Sequence, residues 1–201
     1  MYLPDAFRLD DRATLLAQAE AYPFATVITQ GEGGLAVSHL PLLVGAGSDL
    51  LRGHLARENP QLAHLAAGAE ALAIFHGPHG YVSPSVYSEQ PSVPTWNYLV
   101  VHARGRSRLV GEPALREILD DMVKRFDPTG WRLEAPEAFV RAKLGAIAGF
   151  EIALERLEGK LKVSQNRSPM DQARVVAWLE RGDESSRALA ALMRLRLQDR
   201  R

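Results

Sequence analysis

Apolar positions crowd PFATVITQ, residues 23–30, and its β-branched and aromatic side chains predict a strand. GEGG (31–34) supplies the positive-φ positions of a hairpin turn, and LAVSHLPLLV (35–44) returns as a second strand. GAGSD (45–49) turns the chain again, and LLRGHLA (50–56) forms a third strand. Asn59 then serves as an N-cap, with Pro60 in the first helical position of a short helix whose inner face is Leu62, Leu65 and Ala66. ALAIFHG (71–77) is a continuous apolar run too short for a helix, which predicts a buried strand. NYLVVHARGRSRLV (97–110) predicts a long, bent strand.

Helical spacing is clearest after Pro113, where Leu115, Ile118, Leu119, Met122, Val123 and Phe126 recur on one face. A second helix, 136–148, precedes GFEIALERLEG (149–159). There Phe150, Ile152 and Leu154 face one way, and Glu151, Ala153 and Glu155 the other, as in a half-buried strand. A short first helix follows Asp10 or Asp11, with Leu15, Leu16 and Ala19 inside. Near the end, Ser168 and Pro169 open one helix with Asp171 in its first turn, and another spans 183–198.

Five or six strands on short connections, with helices inserted late, predict a mainly β, α+β chain built on an antiparallel barrel. Strands do not alternate with crossover helices, which argues against a parallel doubly wound sheet. The expected division is a barrel over 1–160 and a helical extension over 161–201.

Lysine and arginine total 24, as do aspartate and glutamate, so the neutral chain exerts no overall pull on nucleic acid or an anionic membrane. The absence of cysteine excludes disulfides, thiolate metal ligands and a cysteine nucleophile. MYLPDAFRLDD lacks a basic region followed by an apolar run, so no signal peptide is expected. No apolar stretch approaches the roughly 18–20 residues that span a bilayer, and a cytoplasmic location is expected.

Three stretches concentrate candidate chemistry. In GHLARENPQ (53–61) a strand delivers Arg57 to a helix start whose first amides lack intrahelical partners, a setting for an anion such as phosphate, with His54 as a further donor. The alternative is a plain helix cap with a solvated arginine. In SHLPLL (38–43) Pro41 breaks the ladder, leaving peptide groups near 38–41 free to meet a ligand's edge, or marking an edge strand with a bulge. HGPHGYVSPSVYSEQPSVPTWNY (76–98) sets Tyr81, Tyr87, Trp96 and Tyr98 beside His76 and His79 on a stiff, irregular segment. It suits a planar heterocycle, or packs locally.

His76 and His79 find no further metal ligands at recognisable spacing, so no metal is expected. A phosphate-binding loop with lysine, a dinucleotide fingerprint and a serine elbow are missing from the sequence. KLKVSQNRSP (160–169) offers Lys160, Lys162 and Arg167 beside amide and hydroxyl donors, as a ligand-closing segment or a solvated connector.

In this order MYLPDAF, PFATVIT, SHLPLLV, GHLARENPQ, AIFHGPHGYVSPSVY, VPTWNYLVVHARG and GFEIALERLEGKLKVSQNRS resemble the PaiB family of FMN-binding negative transcriptional regulators, across essentially the whole chain. The resemblance implies a six-stranded antiparallel split barrel, paired as a homodimer with FMN near the interface. It implies that Ser38, His39 and Leu40 line the flavin edge and that Arg57 holds the phosphate, with His54 and Asn59 nearby. His79, Tyr81 and Trp96 would wall the ring, and Gln165 and Arg167 would approach from the same or the partner chain.

Three functions stay open: a flavin-binding regulator, a flavin-dependent oxidoreductase for a small planar substrate, and a haem-binding barrel. Direct DNA binding has slender support. Residues 169–201 carry seven arginines against five acids, an excess of two, and no helix-turn-helix pattern is evident.

Overall fold

The computed structural model describes residues 1–45 and 49–198, so the middle of the expected GAGSD turn lies outside the described residues. In chain order the elements are β1 (Arg8–Leu9), α1 (Arg12–Ala21), β2 (Phe24–Gly31), β3 (Gly34–Pro41), β4 (Leu43–Val44), β5 (Leu50–Ala56), α2 (Gln61–Ala66) and β6 (Glu70–Val82). They continue with β7 (Thr95–Leu109), α3 (Glu112–Phe126), α4 (Glu137–Gly145), β8 (Ile147–Lys162), α5 (Pro169–Leu179) and α6 (Glu184–Gln198). The antiparallel sheet runs β3-β2-β6-β7-β8-β5-β4, with β1 beside β8, and does not close. Among the described residues its six strands of seven residues or more are the six expected; β4 is the end of the expected second strand, split off at Leu42, and β1, two residues long, is an addition.

The chain divides into two compact units, one of 16–75 and 102–157 and a smaller one of 1–15, 76–101 and 158 onward. In the larger unit, Gly33 and Gly34 take φ of 93° and 105° and close the β2–β3 hairpin, whose register sets Thr26 against His39 and Ile28 against Val37. Pro41 ends β3, Leu42 turns back with its N–H on the Pro23 carbonyl (2.9 Å), and β4 joins β5 instead. Alternation buries Ala25, Val27, Leu51, Leu55, Ala73, Phe75, Phe150 and Ile152. Each large side chain so buried contributes about 1.5–3 kcal/mol. On the opposite face Ile118 and Met122 of α3 pack on Leu43 and Val110. α4 stops at Gly145, three residues short of the expected end, because β8 begins at Ile147 and pairs with Ala56.

In the smaller unit β6 does not end at Gly77 but runs on to Val82, so the glycine-proline segment read as irregular is largely strand. Its glycines mark close approaches. A Cβ at Gly77 would lie 2.9 Å from Leu99, and one at Gly80 would lie 2.5 Å from Leu179 of α5. Ser168 caps α5 by accepting the Asp171 N–H (3.2 Å), and α5 and α6 bury Val175, Val176, Leu179, Leu189, Ala190 and Met193. None of the described helices is long and apolar enough to cross a membrane.

Candidate functional site

Strand alternation decides what β3 offers. Ser38 and Leu40 are buried, while His39 stands exposed on the other face with its Nδ1 3.1 Å from Thr26 Oγ1. β3 ends the sheet order, so one edge of its peptide groups has no strand partner among the described residues. The turn leaving β5 is fastened to this strand: Asn59 Nδ2 donates to Ser38 Oγ at 2.9 Å. Two candidates from separate sequence motifs thereby meet.

The helix start itself differs from expectation. Asn59 Oδ1 accepts the Gln61 N–H (2.9 Å), the Leu62 N–H reaches the Asn59 carbonyl (2.9 Å), and the Ala63 N–H reaches that of Pro60 (3.2 Å). With Pro60 lacking a donor, the first amides of this six-residue helix have partners and do not await an anion. Arg57 is exposed, and its Nε and Nη2 donate to the Gly145 and Ile147 carbonyls at 2.9 Å each, closing the end of α4. Two of its five N–H donors are thereby engaged.

His54 lies across the β5–β8 register from Gly149, on the face where Arg52 donates to Asp121 of α3 (3.0 Å). It is half-buried, its Nδ1 is enclosed without a partner, and burial pushes its pKa below 6.5. A hollow of about 310 Å³ between β4 and α3, lined by Leu43, Asp121 and Arg125 among others, contains none of the candidate residues.

The smaller unit holds the aromatic group. His79 and Tyr81, two apart on β6, share an exposed face, and both approach Trp96 of β7, at 6.1 and 5.9 Å between ring centroids. Helices α5 and α6 cap the strand from which the two residues project: Trp178 Nε1 donates to the Tyr81 carbonyl (2.9 Å), and the His79 N–H to Ser185 Oγ (2.8 Å). Trp96 and Tyr81 nevertheless stay 54% and 43% exposed. Among the described residues no three metal-ligating side chains gather around His76 and His79.

Gln165 folds back on its own loop, accepting the Val163 N–H (2.7 Å) and donating to the Leu161 carbonyl (2.5 Å). Arg167 lies over the Tyr87 ring at 4.3 Å. Beneath that loop, buried Asn97 donates to Ser164 Oγ (2.9 Å), and Ser164 holds a left-handed φ of 58°.

Sequence reasoning passed over Gln61. It is 1% exposed, and its Nε2 lies 3.1 Å from each of Val27 O, Ala36 O and Thr29 Oγ1. A polar residue after Asn-Pro reads as a solvated first turn, and no spacing announces contacts made 25 to 34 residues away.

Comparison with known proteins identifies the family and the fold. A family described as "Putative FMN-binding domain" matches residues 1–156. "Protease synthase and sporulation protein PAI 2" of Bacillus subtilis (strain 168) is 32% identical over 206 residues, covering 98% of this chain and 99% of its own. An uncharacterized protein of Emericella nidulans is 29% identical over 203 residues, covering 79% and 81%. Two solved structures share the fold. The FAD and Heme binding protein from Mycobacterium smegmatis has a TM-score of 0.63 at 23% identity, over 83% of this chain and 78% of that one. The flavocytochrome Anf3 from Azotobacter vinelandii has a TM-score of 0.65 at 19% identity, over 83% and 75%.

Proposed function

The chain belongs to the family described as a putative FMN-binding domain, with FMN as its cofactor, and from that membership and its similarity to the PAI 2 protein we propose that it is a flavin-dependent regulator. On this reading the free peptide edge of β3 at Ser38, His39 and Leu40 takes the polar edge of the flavin, and Arg57 with Asn59 takes the phosphate. The carrying observation is the Asn59–Ser38 bond, which ties the phosphate-side turn to the ring-side strand. The donor chemistry fits: a guanidinium with donors to spare, an amide and hydroxyl in contact, and unpaired peptide groups are what a phosphorylated planar ring requires. His54, kept neutral by burial, adds an uncharged partner next to that turn. Bound FMN supplies one- and two-electron transfer at its ring; this chain supplies position and exclusion of water.

Homodimer formation is part of the proposal. Phe24, Leu35 and Val37 are exposed on the β2–β3 face that also carries His39, an apolar patch suited to a second copy. Trp96 and Tyr81 are likewise too exposed for large aromatics with no role, and we assign them, with His79, Gln165 and Arg167, to the flavin held by the partner chain. Regulation through the flavin-loaded state fits better than a grip on DNA. The chain is neutral, and in the basic tail Arg187 donates to the Gly182 carbonyl (2.6 Å) while Arg194 pairs with Glu180.

A second reading, an oxidoreductase for a planar substrate, is favoured by the same exposed aromatic trio. Protein purified without added flavin, examined by visible absorbance and light scattering, tests the proposal. The expected result is a flavin doublet on a particle of twice the chain mass. A sharp Soret band, or a colourless monomer that takes up no FMN, contradicts it.

A further inference from the structure

Gln61 is a buried amide in a position where an apolar side chain would be the simpler filling. Its Nε2 serves three acceptors with two hydrogens, so one bond is shared, and two of those acceptors are backbone carbonyls. This donor set fixes which end of the amide is nitrogen. The other end, Oε1, is buried with no hydrogen-bond partner. Leaving a buried acceptor unmet costs about 1–3 kcal/mol, so the residue's donors must do something that a methylene could not.

What those donors hold is the turn. Val27 and Ala36 belong to β2 and β3, the two strands of the hairpin, and Thr29 Oγ1 sits on β2 beside them, 3.0 Å from His64 Nδ1. Gln61 follows directly on the Arg57–Pro60 turn. Asn59 fastens the middle of the turn to Ser38, and Arg57 fastens its start to the end of α4. Gln61 is the third anchor, and it alone grips both hairpin strands. Without it the turn is held to the hairpin by the single Asn59–Ser38 bond to β3, while Arg57 keeps its hold on the end of α4.

We infer that Gln61 is a positioning residue that sets the distance between the Arg57–Asn59 turn and the β3 edge, and so selects flavins bearing a 5′-phosphate. This rests on the proposed placement of ring and phosphate. It also names a specificity: riboflavin meets only the β3 edge, whereas FMN must satisfy both ends of a fixed span. A loose turn therefore weakens FMN and leaves riboflavin almost unaffected.

Flavin-fluorescence titrations of flavin-free protein with FMN and with riboflavin test this, using wild type, Gln61→Met and Arg57→Ala. Gln61→Met keeps the length and fills the space without donors. The thermal midpoint of each variant shows that it is folded. If Gln61→Met does not fold, Gln61→Asn, which retracts the amide by one methylene, takes its place. Wild type is expected to favour FMN about 10–150-fold, the worth of one charge-assisted contact. Gln61→Met should cut that preference about tenfold or more, with riboflavin affinity within about threefold of wild type. If Arg57→Ala removes the preference and Gln61→Met does not, the role of Gln61 is overturned alone. If neither substitution changes it, the phosphate placement falls and this inference with it. Equal weakening of FMN and riboflavin in Gln61→Met marks a merely structural residue and also overturns the inference.

Discussion

His54 shows how the position of a single side chain becomes a dependence on pH. Enclosure of its Nδ1 and burial against the α3 side of β5 keep its pKa below 6.5, so the folded chain resists a proton that the unfolded chain accepts. Well above that value the ring is neutral in both states and does not alter stability. As pH falls below it the unfolded state takes up the proton first, and stability declines until the folded pKa is passed. Urea midpoints should therefore drop as pH falls through the ordinary histidine range, about 6.5, in wild type, and drop less in His54→Leu. Equal slopes would contradict the assignment. Asp171 acts in the same sense at lower pH: the Ser88 N–H and O–H hold its carboxyl below the ordinary range, so its contribution to stability is lost as pH falls through the carboxylate range.

At the scale of elements, β6 and its two capping helices make the sharpest test. A methyl group at Gly80 would come within 2.5 Å of Leu179 Cδ2 and 3.0 Å of Ser186 Oγ, so in Gly80→Ala the Leu179 side chain must give way in the packing of α5 and α6 on the strand. Overpacking of this kind costs about 1–3 kcal/mol, to be read from urea unfolding. A variant as stable as wild type would show that the helices yield without loss. The same strand marks where legibility in the sequence ends. The β2–β3 hairpin was readable because PFATVITQ is rich in β-branched and aromatic residues and GEGG supplies the turn. The continuation of β6 was not, since Gly77-Pro78 and Gly80 are turn residues by composition. Leu99 and Leu179, distant in sequence, are what make them a close-packed strand. The Arg57 segment shows the same limit. Asn59 at the helix start was legible as an N-cap, but only long-range contacts reveal that Arg57 spends two donors at the end of α4 and that Gln61 is buried.

For the whole molecule, the FMN-binding family covers residues 1–156, and the similarity to PAI 2 runs over 98% of this chain and 99% of that protein. Zero formal charge and a tail whose Arg187 and Arg194 are already engaged set the proposed regulator apart from proteins that grip DNA by charge. The account turns on one contact, between the Arg57 guanidinium and the phosphate of FMN. Titration of FMN into flavin-free wild type and Arg57→Ala measures it directly. The account predicts an affinity lower by about 1.5–3 kcal/mol in the variant, with the thermal midpoint showing it folded; unchanged FMN affinity in a folded Arg57→Ala protein would contradict it.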